Sequence, residues 1–566
     1  MDIMCKKLEL RILSWFVSIF FITYGAAASI LPLSVPNPMS TWVDSSYQGE
    51  VIHPITGEAP VSWQAAKNMG LPTYYIDSTH ASATDKDNPN GSPGQPRLTI
   101  SETTYPEGSY VEIHGGPYSG GGQIIFKANG TPGKPVWFRG GNSTNKAIIT
   151  GEIIAKGQYL FIENLKFENR KSLSLRTHDN SSLSNVVIRN LTFTGDGIGY
   201  GSGSAIPIYS NSSANRFHDI LLYNNEISFL GNDYDDSETS LGESQENDYH
   251  GIHPDINVDR VWIFNNKIHN LGGDSVQVSR ASTSDNNRPS DVFIINNEFY
   301  SNLENAVDVK TANNTLIMGN VVYDWRQHRG NTSTGAAIVV HNKAKNTWIV
   351  NNYISDAVDA VIVSDSSVET WVIGNVIHNI KHSIWDENWA SSSIYSTGSA
   401  IHFRGGSKGG AINNTIINTD KGFEGEGSNL IFINNIIVER NESSAYDLYI
   451  GTSNAGNKIT NNLIYHSKFN YKFKNTMCLV CIYDPPKFIN GSFEISLLSP
   501  AIGSGTMINF ILNKYTAIFS TTLDKDIKGG VRVIGGIDIG AYENQNLTGE
   551  RTGRPNPPEI LGISIK

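Results

Sequence analysis

Cysteine is almost missing from this chain, with three in 566 residues, so no disulfide framework can hold it together. Charge is scarce as well: 17% of residues are Asp, Glu, Lys or Arg, against about 25% in typical soluble domains. What charge there is sums to -11, which lacks the basic footprint that nucleic acid binding needs. An acidic polysaccharide would also be repelled on average, so such a substrate requires a locally basic cleft. Helical periodicity of useful length is absent from the central region. Long apolar runs are absent too, beyond one near the N-terminus. A hydrophobic content of 39% still supplies a long, narrow core and excludes wholesale disorder.

That one apolar run, Ile12 to Gly25, follows the basic residues Lys6, Lys7 and Arg11 and precedes Ala26, Ala27 and Ala28. This layout predicts a secretory signal peptide over residues 1–28, hence a secreted, cell-surface or periplasmic protein with no membrane contact after cleavage. The competing reading is an uncleaved anchor, because no charge interrupts Ile12 to Leu33. Cys5 would leave with the signal. Cys478 and Cys481 remain as C-L-V-C, for which a local disulfide is expected in an exported chain. Half a zinc site is the weaker alternative.

Internal repetition dominates what is present. An Asn followed by an apolar stretch recurs at Asn164, Asn190, Asn225, Asn266, Asn297, Asn320, Asn352, Asn375, Asn414, Asn435 and Asn462. The shortest intervals, 21 to 23 residues, define the bare repeat, and longer ones carry insertions. Two or three short strands per repeat, with Asn at the corner, describe one coil of a right-handed parallel β-helix. Asn tolerates the left-handed backbone of a tight corner and can stack as a hydrogen-bonded ladder. The predicted fold is therefore all-β: an irregular N-terminal segment over residues 29–72, a parallel β-helix with its N-terminal cap over 73–470, and a β-rich C-terminal extension of coils or cap with a tail over 471–566. Eleven corners at about 4.8 Å per rung give a rod of roughly 48 Å.

Several stretches carry a family likeness. SYVEIHGGPY and NGTPGKPVWFRG, with ITGEIIAKGQYLFIENLKF after them, resemble the opening of the alginate lyase and chondroitinase B family. YYIDSTH near the start, and LSPAIGSGT and DIGAYE near the end, resemble segments of exported β-helix proteins. The resemblance implies a polysaccharide substrate and β-elimination at a uronate; Ca²⁺ as a cofactor is suggested separately, by the clustered carboxylates from Asp233 to Asp248 and by Asp308. Of the family's site residues the resemblance reaches only Lys310 and Asp308. An arginine has no clean counterpart, Arg326 and Arg329 being the nearest.

Strand alternation locates candidate chemistry from the residues alone. Aligning the apolar pairs Ile206/Ile208, Ile252/Pro254, Val276/Val278, Val307/Val309, Ile338/Val340, Val361/Val363 and Ile401/Phe403 leaves two outward columns. One reads Pro207, His253, Gln277, Asp308, Val339, Ile362, His402. The other reads Tyr209, Asp255, Ser279, Lys310, His341, Ser364, Arg404. Removing the proton at carbon 5 of a uronate needs a base, a cation at the carboxylate and a donor for the leaving oxygen. The assignment that follows gives Lys310 as base, His341 or His253 as further proton carriers, Asp308 and Asp255 as metal or electrostatic support, and Gln277, Tyr209, Arg404 and Trp385 as substrate contacts. One objection is already visible: Asp308 beside Lys310 favours the ammonium, which is wrong for a base. The acidic insertion from Asp233 to Asp248 and the Trp385, Trp389, Tyr395 insertion would wall the site. A glycoside hydrolase using Asp255, Asp274 and Asp308, a uronate epimerase suggested by GIHPD, and a non-catalytic, monomeric glycan-binding solenoid are the alternatives.

Overall fold

The computed structural model describes residues 31–141, 145–169, 171–177, 182–195, 202–231, 248–325, 335–382, 398–440, 446–451, 456–467, 472–474, 476–532 and 536–545. Each central coil contributes three short strands. Val276–Val278, Ser290–Ile295 and Glu298–Tyr300 are followed one coil later by Val307–Lys310, Asn313–Met318 and Val321–Trp325. Each strand pairs in parallel with its counterpart in the next coil. The result is a right-handed parallel β-helix with three ladders. We call them the site ladder (through Val307–Lys310), the broad ladder (through Asn313–Met318) and the narrow ladder (through Val321–Trp325). Inward side chains such as Val276, Val307, Ile338, Ile294, Ile317, Phe299 and Val322 form one continuous, fully buried core.

The paired asparagines divide two tasks between two positions. The first residue of each pair takes the left-handed conformation: Asn265 (φ 53°), Asn296 (52°), Asn351 (53°), with Gly319 (69°) and Gly374 (68°) doing the same. The second points inward and bonds to the next coil. Asn320 donates its backbone N–H and its Nδ2 to Asn352 Oδ1, each at 2.9 Å, and gives a further Nδ2 bond to Ile294 O. This pattern runs unbroken from Asn225 to Asn462. Asn164 and Asn190 differ from the expectation of a common register. They are left-handed corner residues themselves, and the buried positions after them are Leu165 and Leu191, so the ladder begins at Asn225. At its other end Cys478 and Cys481 are joined in a disulfide, and the two sulfurs lie 3.6 and 3.4 Å from Asn462 Nδ2 and N.

Because Asn352 serves donors and acceptors on both neighbouring coils, Asn352→Ala strands several buried groups. The expected loss is about 2–4 kcal/mol, read as a lower urea midpoint. Asn351→Gly keeps the required backbone conformation and is expected to cost no more than about 1 kcal/mol.

The termini do not simply close the rod's ends. Broad-ladder strands are apolar on both faces, and their outward residues Trp262, Phe293, Leu316 and Trp348 belong to a second buried cluster. Residues 31–72, which include two short helices (Met39–Trp42 and Trp63–Asn68), lie on that face. Trp262 donates to Pro36 O, Asn185 to Trp42 O and Tyr223 to Ile55 O. The described residues of 476–545 contain the helix Asn509–Phe519 and, among those described residues, isolated bridges in place of a β-rich stack. Ile511, Tyr515 and Phe519, at helical spacing, face the same broad ladder. Tyr515 donates to Ser34 O at 2.6 Å, so the two terminal segments also hold each other. The LSPAIGSGT and DIGAYE segments pair together, with Ile539 N–H to Ala501 O and Gly505 N–H to Ile537 O. Both then dock on the corner residue Asn434.

Candidate functional site

On the site ladder the pairs Gln277/Asp308, Asp308/Val339 and Lys310/His341 stand in register, as do Val339/Ile362 and Ile362/His402. Pro207 pairs with His253. The first column therefore exists as aligned from the sequence; in the second, Lys310 and His341 are paired, whereas Ser279 takes a left-handed turn (φ 67°) just beyond its strand, and a polar chain runs across the two.

Asp308 is its hub, 4% exposed. Its Oδ2 is 2.9 Å from Lys310 Nζ, and its Oδ1 is 2.8 Å from His341 Nε2 as an ion pair. Burial would raise the Asp308 pKa, but His341 and Lys310 outweigh it and hold the carboxylate ionised. Burial would likewise lower the Lys310 pKa, yet Asp308 and Asp274 keep its ammonium well above the ordinary lysine range. For His341, burial is overcome by Asp308, so its imidazolium is favoured.

Lys310 Nζ also donates to Gln277 Oε1 at 2.9 Å. An ammonium has no acceptor, so the Gln277 oxygen must face it and the amide nitrogen must face away. That nitrogen lies 3.1 Å from His253 Nε2. A neutral His253 accepts there. A protonated one instead has Ser279 O at 3.2 Å as acceptor. Burial lowers the His253 pKa, favouring the neutral ring. One nitrogen thus has a partner for either protonation state, which suits a proton carrier.

The supporting carboxylates do not form a cation pair. Asp308 is taken by Lys310 and His341, while both oxygens of Asp255 accept from Arg280 Nε at 2.9 and 2.8 Å. Asp255 also lies two rungs from Asp308 along the rod. Tyr209 is one rung beyond Asp255, on the strand Gly203–Ser210. Arg404 is three rungs from Lys310, on the opposite side from Asp255. Trp385, the Asp233–Asp248 insertion apart from its last residue, and Arg326 and Arg329 lie outside the described residues.

A different group comes together behind Gln277 and Asp308. His250 Nδ1 is 3.3 Å from Asp274 Oδ2 and 3.8 Å from Glu304 Oε2. Asp274 is fully buried; its Oδ1 accepts both N–H groups offered by Asn305, while its Oδ2 has no hydrogen bond. Burial and the charge of Asp308 push Asp274 up to about 8. Burial drives His250 well below the usual histidine value. His250 is not among the residues the sequence points to, and Asp274 enters there only as a carboxylate of the hydrolase alternative. Both sit two residues before the apolar pair, at the parity of the inward face, where an apolar side chain is the ordinary expectation. One imidazole with two carboxylates fits Ca²⁺ poorly, since that ion takes six to eight oxygens; such a donor set suits a transition metal.

The protein class defined so far is a right-handed parallel β-helix with an acid–base column on one ladder. No family model matches this chain, and no curated protein matches it. Solved structures resemble it in architecture. A PL6 family alginate lyase, AlyGC, matches at 15% identity and a TM-score of 0.41 over 66% of this chain and 51% of its own. A PL6 alginate lyase in complex with a trisaccharide matches at 12% identity and 0.42, over 74% and 90%. The A-module of the Azotobacter vinelandii mannuronan C-5 epimerase AlgE6 matches at 14% and 0.40, over 67% and 91%. The chain spans about half the length of AlyGC. At these values the likeness concerns architecture and carries nothing about the reaction.

Proposed function

We infer that this chain is an exported enzyme that cleaves a uronate-containing polysaccharide by β-elimination. The observation that carries the reading is the bridged set Lys310–Gln277–His253, with Asp308 and His341 beside it. A uronate carboxylate placed on this column meets two cations, Lys310 and His341, and a neutral imidazole, His253.

The geometry reassigns the roles expected from the sequence. Lys310 is held charged by Asp308, and an incoming carboxylate strengthens that bias, so Lys310 serves as the cation that stabilises the developing carboxylate charge. His253 takes the carbon 5 proton. The electron pair left behind forms the carbon 4–carbon 5 double bond as the bond to the carbon 4 oxygen breaks. The imidazolium of His341 returns a proton to that oxygen. No step is given to Ca²⁺: among the described residues, Asp308 is engaged by Lys310 and His341, and Asp255 by Arg280.

Incubation of residues 29–566 with alginate, pectate and chondroitin sulfate, followed by ultraviolet absorbance of the new conjugated double bond, tests this. A rise on one substrate is expected; a flat trace on all three overturns the reading for these polymers. The pH profile carries a sign. His253 must be neutral, and burial lowers its pKa from the ordinary 6.5, so kcat/KM should rise through a value below 6.5. His341 must be charged, and its pKa is raised from 6.5, so activity should fall only above 6.5.

One observation favours a second reading. Asp274 held protonated beside ionised Asp308 is the split carboxyl pair of a glycoside hydrolase. Complete burial of Asp274 keeps it from touching a glycosidic oxygen, which weighs against this. Reducing ends released without a double bond would establish it.

A further inference from the structure

Three coils beyond Asp308, a second group of ionisable side chains takes no part in the reaction above. Ile362 pairs with His402, and His402 with Glu424, so imidazole and carboxylate are consecutive in the outward column. Glu426 follows just beyond the end of the strand Lys421–Gly425 that carries Glu424. His402 is 3% exposed, yet neither ring nitrogen has a hydrogen bond. Nδ1 lies 3.8 Å from Glu424 Oε2, and Nε2 lies 3.8 Å from Glu426 Oε1. A buried imidazole that faces two carboxylates and bonds to neither needs an explanation. The spacing supplies one: two ligand atoms about 2.1 Å from a tetrahedral ion stand roughly 3.4 Å apart. One donor atom from each of the three residues lies within 4.8 Å of the others.

The geometry points to a divalent transition-metal site formed by His402, Glu424 and Glu426. An imidazole among the donors selects the zinc and cobalt class over calcium and magnesium. Glu424 is already oriented: Ser399 Oγ and Lys421 Nζ both donate to its Oε2 at 2.9 Å. Glu426 is half exposed and gives the ion a path from solvent and open positions for water. Whichever ring nitrogen takes the ion, the other faces a carboxylate, the arrangement that commonly orients a metal-bound histidine. At about 4.8 Å per rung the site stands roughly 14 Å from Asp308, so it is separate from the proton-transfer groups and independent of the reaction assigned to them.

The test is titration of the full chain with CoCl₂ and ZnCl₂ after chelator treatment, in a His250→Ala background that removes the other three-ligand group. One equivalent of Co²⁺ is expected, with the visible absorption of an imidazole-bound cobalt ion. Adding His402→Ala should weaken binding by about 100-fold, and Glu426→Gln by about 10-fold. Glu426 is exposed, so Glu426→Gln should leave the metal-free Tm unchanged while reducing the Tm increase that a fixed Zn²⁺ concentration gives. No Co²⁺ bound to the His250→Ala protein, or binding undiminished by His402→Ala, overturns the proposal.

Discussion

Lys310→Ala is expected to lower kcat/KM on the uronate polymer by about 10³-fold, the scale on which removing a single electrostatic donor acts. The size follows from where the ammonium sits. It is fixed by Asp308 and Gln277 at 2.9 Å each, so it needs no reorganisation when carboxylate charge develops. Lys310→Arg separates the cation role from the base role assigned on sequence grounds. A guanidinium keeps the charge but not the compact contact with Gln277. A cationic Lys310 therefore predicts partial activity, with the acid limb of the pH profile unmoved because His253 still sets it. A Lys310 acting as base predicts no activity in Lys310→Arg, since arginine does not deprotonate. His253→Ala should lower kcat and remove the acid limb, while His341→Ala should remove the alkaline one. Thermal unfolding of each variant distinguishes lost chemistry from a lost fold, because Asp308 is buried and depends on both cations.

These roles show how far residues alone lead. The register of the site ladder was legible because an inward face demands apolar side chains at every second position, and Val276/Val278, Val307/Val309 and Ile338/Val340 satisfy that without gaps. The conflict between Asp308 and a basic Lys310 was legible for the same reason, as two residues apart share a face. What alternation cannot show is which polar side chains converge: His250 lies within the strand Tyr249–Pro254 and Asp274 just ahead of Val276–Val278, and only the stacking of coils brings them together with Glu304. The asparagine ladder was readable as a motif, but the one-residue offset of Asn164 and Asn190 was not, since both corner and ladder positions favour Asn. The second core did leave a trace. Runs such as DVFII and TWIV are apolar at consecutive positions, and strands read that way when both faces are buried. What covers them is non-local: Trp348 meets Tyr515, and Tyr515 meets Ser34.

That contact carries the largest stability effect expected outside the site. Trp348 is fully buried although it points away from the β-helix core. Its ring packs edge-on against Tyr515 and Phe519, at 5.1 and 6.4 Å between centroids, and tilted against Trp371 at 6.1 Å. Trp348→Ala removes that filling between sheet and helix, and a buried Trp-to-Ala change costs about 3–5 kcal/mol. The loss should not fall evenly. Inward Ile349 stays in the inner core, so the coils keep their packing while the helix Asn509–Phe519 and the segment around Ser34 lose their shared anchor. Limited proteolysis should therefore cut the variant within residues 31–72 and 507–523 at protease levels that leave the parent intact, with the central coils surviving as a resistant fragment. Tyr515→Phe provides the scale: it removes only the hydrogen bond to Ser34 O and should cost about 1 kcal/mol without opening either segment. Equal protease resistance in Trp348→Ala and the parent would mean that the terminal segments are held by other contacts, such as Trp262 to Pro36 and Asn413 to Asp538, and that the second core is not what binds them to the rod.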